Sequence, residues 1–330
     1  MSLEFLKTLF NKSNILPDDQ DFYQQLLEDK DFLVVGPQVY SHLKMLDRLN
    51  QTPDFFREKL KARFSQSLYL NMFIKSELEI ILETFEKVGI DVIPLKGVTF
   101  AEKYFNHLGA RPTSDIDLLI KPQDLNNAVE CIKSLGFDIE HAGIEDHFHT
   151  SFSKIQTWSK IPLTIEIHWN LLQESTASFE INKFWDESLP VDTHVHVREL
   201  SNYHTFYMIC IHGWRHNLDS PKYYLDIIQL IHKIGNEIDY SRLMQDANNH
   251  KTLKRMIRTL SVVYQECPFV EELKPFPYKR STSYLEYDAK KGFGGKKYKR
   301  YMDFIDYQFL SYDTAGHRLQ ELVKWVKTKN

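Results

Sequence analysis

The sequence predicts an α+β fold: a small mixed β-sheet flanked by helices, with an N-terminal helical extension and a C-terminal helical domain. Three observations lead there. From Phe55 to Val88 apolar residues recur near the helical period, with neither Gly nor Pro to interrupt them. Residues 90–170 alternate short strand-like runs with two helical stretches. Beyond about Ser201 the helical period returns. The expected boundaries are 1–88 for the extension, 89–200 for the sheet-bearing core and 201–330 for the C-terminal domain.

The elements follow in order. Residues 20–88 read as helical. Pro53-Asp54 supplies a helix start with Pro in the first turn. The long helix that follows carries Leu60, Phe64, Leu68, Met72, Ile74, Leu78, Ile81 and Phe85 as its apolar stripe and stops at Gly89. Asp91–Leu95 reads as a strand, and Lys96-Gly97 turns the chain into a helix that reaches about Asn106. A loop holding Gly109 and Pro112 leads to a strand over Ile116–Ile120. Pro122 opens a helix from Asp124 to Leu135, closed by Gly136. Phe137–Glu140 is extended, and His147–Ile155 and Leu163–Trp169 alternate as antiparallel strands do. Helices are expected over Asn202–His216, Pro221–Ile234, Tyr240–Asn249, Thr252–Gln265 and from about Gly316 to Lys327, with 275–297 irregular.

Composition bounds the function. A chain of 330 residues makes about two domains and can bury a real core. Net charge is −4, so no global field attracts nucleic acid. Residues 275–330 hold 12 Lys/Arg against 6 Asp/Glu; a solvated helix pair accounts for this more simply than a polyanion platform. Three dispersed cysteines, Cys131, Cys210 and Cys267, make neither a disulfide framework nor a zinc spacing, which fits a reducing cytoplasm. Glu4 and Lys7 break the apolar N-terminal run, so no signal peptide is expected. No apolar run is long enough for a membrane span.

The chemistry concentrates at Asp115 and Asp117. Residues i and i+2 of a strand project from one face, so the two carboxylates point together. Paired hard oxygen ligands suit Mg²⁺, and two such ions can clamp the attacking and leaving oxygens of a phosphoryl transfer. An Asp-x-Asp triplet alone is common. Three features support this one. Lys96-Gly97 lies upstream at a strand-to-helix turn, where backbone N–H groups can meet a phosphate. Arg111 lies four residues before Asp115, placed to neutralise a triphosphate. Leu163-Thr-Ile-Glu-Ile-His-Trp169 sets Glu166 and His168 on one face of a later strand, as a third acid and a phosphate or acceptor contact.

The order Leu95-Lys-Gly97, Arg111…Ser114-Asp-Ile-Asp-Leu-Leu119, Ile165-Glu-Ile-His-Trp169 resembles the uncharacterised nucleotidyltransferase family of the polymerase-β superfamily. His147-Phe-His149 and His212-Gly-Trp…Leu225-Asp226 extend the likeness over roughly residues 30–270. The resemblance implies transfer of a nucleoside monophosphate from a nucleoside triphosphate to an acceptor hydroxyl or phosphate, with loss of pyrophosphate. By motif, Asp115 and Asp117 become metal ligands at a two-Mg²⁺ site. Glu166 becomes the third acid, ligand or base, and Gly97 the triphosphate cradle. The chain departs from the superfamily pattern at the turn. Lys96-Gly97-Val98 stands where a Gly-Ser pair is usual, exchanging a hydroxyl for an ammonium, and the third acid is Glu rather than Asp.

The remaining candidates are weaker. His147 and His149 lack further zinc ligands at suitable spacing. His212 and His216 share a helix face without Glu-x-x-His framing, and His194-Val-His196 lacks a downstream ligand set. Gly292-Phe-Gly-Gly-Lys296 lacks a phosphate-loop spacing, and Lys103 and Lys121 read as solvated. The expected partners are a nucleoside triphosphate and a small-molecule, saccharide or modified-peptide acceptor. Without a basic stripe on the core, a template nucleic acid is not expected. Two rivals remain at this point: glycosyl or sugar-phosphate transfer at the same metal site, and a non-catalytic nucleotide-binding protein.

Overall fold

A computed structural model describes residues 2–10, 15–140, 148–155, 162–191, 194–282, 285–291 and 297–329. His147 and the Gly292–Lys296 segment lie outside them. In chain order the elements are α1 (Ser2–Phe10), α2 (Gln20–Glu28), α3 (Lys30–Met45), α4 (Asp54–Val88), β1 (Val92–Pro94), α5 (Val98–Phe105), β2 (Asp115–Ile120), α6 (Leu125–Ser134), β3 (Asp138–Ile139), β4 (His149–Lys154), β5 (Leu163–His168), α7 (Ile181–Asp186), β6 (Leu189–Pro190) and β7 (Arg198–Glu199). There follow α8 (Asn202–Arg215), α9 (Pro221–Ile234), α10 (Tyr240–Asn249), α11 (Leu253–Glu266), α12 (Val270–Leu273), α13 (Tyr287–Lys290), α14 (Lys297–Ile305) and α15 (Ala315–Lys329). The fold is α+β, as the sequence predicts.

The chain forms two compact units. One comprises residues 62–174 and 180–204, and the other 1–61, 175–179 and 205–330. The first holds a five-stranded mixed sheet in the order β1-β2-β5-β4-β3. Its β2–β5 pair is parallel, and the other pairs are antiparallel. One face of α4 covers this sheet. Ile74, Leu78, Ile81 and Phe85 pack with Ile116, Leu118 and Ile120 of β2, Ile165 and Ile167 of β5, and Phe152 of β4. Burial of these side chains is the main favourable term for the unit. A Schellman turn ends α4: the N–H of Gly89 (φ +75°) donates to Glu86 and that of Ile90 to Phe85.

The structure amends the expected stripe of α4. Met72 is exposed, and Asn71 and Ser67 occupy the buried face instead. Periodicity alone places either residue set on a helix, but Asn71 has partners that make its burial favourable, described below.

The second unit is helical. Phe5 of α1 meets Phe22, Tyr23, Phe32 and Phe56 in an aromatic cluster. Side-chain caps start its helices where the sequence places Ser or Asp ahead of them: Asp19 for α2, Asp29 for α3, Ser220 for α9 and Asp239 for α10. Several elements of this unit go beyond the sequence reading, among them α12 and α13. The N-terminal apolar run, weighed only as a signal peptide, folds as α1 with Leu3, Phe5, Leu6 and Leu9 buried. Residues 297–310 form α14 and a π-helical turn. Buried Arg258 anchors that segment through Asp303 and Asp306, an attachment that no local pattern announces.

Candidate active site

The candidate site forms where β1, β2 and β5 lie side by side in the sheet-bearing unit. In the parallel β2–β5 register, Asp117 stands opposite Glu166 and Leu119 opposite His168. Asp117 is 2% exposed, against intermediate exposure for Asp115 and Glu166. Ile116 and Leu118 turn into the core, as the strand alternation requires.

The approach to β2 is held from outside the sheet. The Asn71 side chain reaches from α4 to donate to the carbonyls of Leu108 (2.5 Å) and Arg111 (2.7 Å) and to accept from Thr113 N–H (3.2 Å). Three backbone groups of the loop before Asp115 are thereby satisfied in a buried place where water does not serve them. The sequence reading missed Asn71. A polar residue on the buried face of an apolar helix was the available signal.

His168 couples the acids. Its Nε2 lies 3.1 Å from Asp117 Oδ1 and 3.2 Å from Glu166 Oε2. Both partners are carboxylate oxygens, so Nε2 carries the proton. Burial disfavours charge on His168, but hydrogen bonds to Asp117 and Glu166 outweigh it and raise the imidazole above its ordinary range. The same contacts act back on the acids. The hydrogen bond from His168 holds Glu166 below the usual carboxylate range. Burial pushes Asp117 upward, and Lys96 and His168 overcome it and bring this carboxyl far down. His149, opposite His168 on β4, stacks on its ring with centroids 5.1 Å apart.

Lys96 follows β1 and buries its stem. Its ammonium lies 2.5 Å from Asp117 Oδ2 and 3.3 Å from Asp115 Oδ2. Burial alone would lower its pKa; Asp117, Asp115 and Glu166 raise it instead. Gly97 next to it caps α5 at φ +79°, a conformation that L residues adopt at a cost. A Cβ there would meet Thr113 Cγ2 at 3.3 Å and the Asp115 carbonyl oxygen at 3.5 Å. Pro94, Lys96, Gly97, Val98, Asp115 and Asp117 therefore line one small pocket, floored by Ile74 and Leu78.

The structure brings Lys96, Gly97, Asp115, Asp117, Glu166 and His168 together. Arg111 lies on the loop before Asp115 and is buried. That guanidinium is 1% exposed and lies over the Phe100 ring, 5.0 Å from the centroid. Three other histidines singled out in the sequence have partners away from this group. His196 Nδ1 pairs with Asp91 at 2.9 Å, and His212 and His216 pack on Tyr223. Lys121 is held rather than solvated, 2.6 Å from Asp91. Lys103 pairs with Glu199 at 2.9 Å, half exposed.

Asp117, Glu166 and His168 offer ligand atoms within 4.8 Å of one another, and no other trio of His, Cys, Asp or Glu among the described residues is so arranged. The chemistry of this set fits a hard divalent ion, with one refinement. Nε2 of His168 is spent as a donor to both acids, so the oxygens of Asp117 and Glu166 are the donors this trio leaves for a divalent ion, and Asp115, outside the trio, shares the Lys96 ammonium with Asp117. His168 contacts Asp117 and Glu166 in the way that outer-shell partners of metal ligands do. Asp115 and Asp117 already face a cation, the Lys96 ammonium.

Among the described residues no helix is long and apolar enough to cross a membrane. No curated protein and no solved structure matches the chain. A family model described as an uncharacterised nucleotidyltransferase matches residues 26–265, most of the chain's length, and that span contains every residue of the site. The chain belongs to the uncharacterised nucleotidyltransferase family, and it is a transferase.

Proposed function

We propose that the protein moves a nucleoside monophosphate from a nucleoside triphosphate to a hydroxyl or phosphate of a small-molecule, saccharide or peptide acceptor. The observation that carries this reading is Asp117 set opposite Glu166 across β2 and β5, with Asp115 joined to it through the Lys96 ammonium, and both aspartates beside Gly97 and the N-terminus of α5. The acceptor oxygen attacks the α-phosphorus, the bond to the bridging oxygen breaks, and pyrophosphate leaves. Catalysis of this kind rests on positioning and charge.

A divalent metal bound to the acidic group, Mg²⁺ in our reading, would neutralise charge on the phosphates and draw the reacting oxygens together. Asp115 and Asp117 would hold it from one strand face. Glu166 completes the acidic set from β5. Its lowered pKa keeps it ionised, which suits a ligand better than a general base at neutral pH. Gly97 lets the backbone approach the triphosphate, and the free N–H groups at the start of α5 can receive it. His168 holds Asp117 and Glu166 in place. Arg111, with its guanidinium over the Phe100 ring, remains in this reading a counter-charge for the triphosphate.

Incubation with each nucleoside triphosphate, labelled at the α- or the γ-phosphate, and a metabolite extract tests the reading. The α label should enter an acceptor as a nucleoside monophosphate mass increment, and the γ label should leave as pyrophosphate. Parallel reactions with nucleotide sugars check the rival donor class. A hexose increment without nucleotide transfer would replace this reading with glycosyl transfer.

A further inference from the structure

The Lys96 ammonium stands at the carboxylates that a metal would use. It contacts Oδ2 of Asp117 at 2.5 Å and Oδ2 of Asp115 at 3.3 Å. Its side chain is 14% exposed, so the pair is shielded from water and salt. One positive charge thus serves two acids. A divalent ion held by these carboxylates and an ammonium in contact with them would repel one another and compete for the same negative charge. Lys96 sits on a flexible four-carbon stem directly before Gly97 and the start of α5. An ammonium released from the aspartates therefore enters the space in which the proposed function sets the triphosphate.

We propose that Lys96 is an internal competitor of the metal, which makes metal entry depend on the nucleotide. Resting on the nucleotidyltransfer reading, this assigns the site a binding order. Free metal must expel the ammonium with no anion to receive it, so it binds weakly. Metal arriving with a triphosphate gives the ammonium a new counter-charge, so the two ligands bind cooperatively. Linkage requires each to raise the other's affinity by the same factor. The site then stays closed by its own lysine until the substrate complex arrives.

The test is calorimetric. Mn²⁺ is titrated into the wild type, Lys96→Met, Lys96→Arg and Asp117→Asn. The affinity of α,β-methylene nucleoside triphosphates is then measured with and without Mn²⁺. Lys96→Met should bind Mn²⁺ alone at least tenfold more tightly than the wild type and lose most of the coupling between metal and analogue. Lys96→Arg, which keeps the charge, should keep weak metal binding. Thermal midpoints check folding, and Mn²⁺ should raise that of Lys96→Met more than that of the wild type. Mn²⁺ affinity in Lys96→Met equal to or below the wild type's, with binding still lost in Asp117→Asn, overturns the competitor role and leaves the metal site intact. No Mn²⁺ binding by wild type or Lys96→Met, even with the analogue, overturns the metal-site reading and the inference with it.

Discussion

Asp117 on β2 and His168 on β5 meet Oδ1 to Nε2 at 3.1 Å across a parallel strand pair. The same nitrogen lies 3.2 Å from Glu166, so one buried proton orients two acids. Loss of an outer-shell partner of this kind lowers metal affinity or activity about 10–100-fold. His168→Ala should therefore reduce kcat and Mn²⁺ affinity together by about that factor. Kinetics and metal titration on the same preparation check it. Unchanged metal affinity with lost stability would reduce His168 to a packing residue.

Asn71 is the attachment of the loop before Asp115. It makes three hydrogen bonds to buried backbone groups. At about 0.5–1.5 kcal/mol each, Asn71→Ala should cost roughly 2–4 kcal/mol in urea unfolding. Asn71→Asp should cost more, since it turns a carboxylate toward the Leu108 and Arg111 carbonyls. A loss below about 0.5 kcal/mol would mean that water replaces these bonds.

Gly97 is required by its backbone. At φ +79° and ψ −133°, a region that L residues rarely enter, alanine costs about 1–3 kcal/mol, and its Cβ also presses on Thr113 Cγ2 at 3.3 Å. Gly97→Ala should lower the thermal midpoint and raise KM for the triphosphate more than it lowers kcat. An unchanged KM would show that the phosphates bind elsewhere.

Glu266 gives the helical unit a pH dependence. Burial raises its pKa; the Tyr287 N–H at 3.2 Å and Lys7 at 3.8 Å offset this only in part. A carboxyl with a raised folded-state pKa favours the folded state below its unfolded value of about 4.3. That contribution is lost as pH rises through the folded value. Glu266→Gln should thus gain stability relative to the wild type between pH 4 and neutrality. Urea midpoints across that range test it, and a constant difference would contradict the assignment.

Much of the sheet-bearing unit is legible in the sequence. Strand lengths, the Gly89 and Gly136 stops, and the Asp-x-Asp and Glu-x-His strands all depend on residues close in sequence. What escapes is set by distant partners. Lys96 reads as a phosphate contact, but nothing local says that it rests on the aspartates. The burial of Arg111 over the Phe100 ring depends on how the loop is tied to α4, which no local pattern announces. Asn71 is a single amide on a 35-residue helix, and its partners lie more than one element away. The same holds for α14, whose attachment depends on Arg258 of α11.

Pyrophosphate release is the most direct measure of the central claim. Wild type, Asp115→Asn and Asp117→Asn are compared with a nucleoside triphosphate, Mg²⁺ or Mn²⁺ and a metabolite extract, with circular dichroism to confirm folding. The wild type should release pyrophosphate in step with a nucleotide-bearing product, and both folded variants should release none above background. Wild-type turnover by either folded variant would contradict a reaction centre built on Asp115 and Asp117.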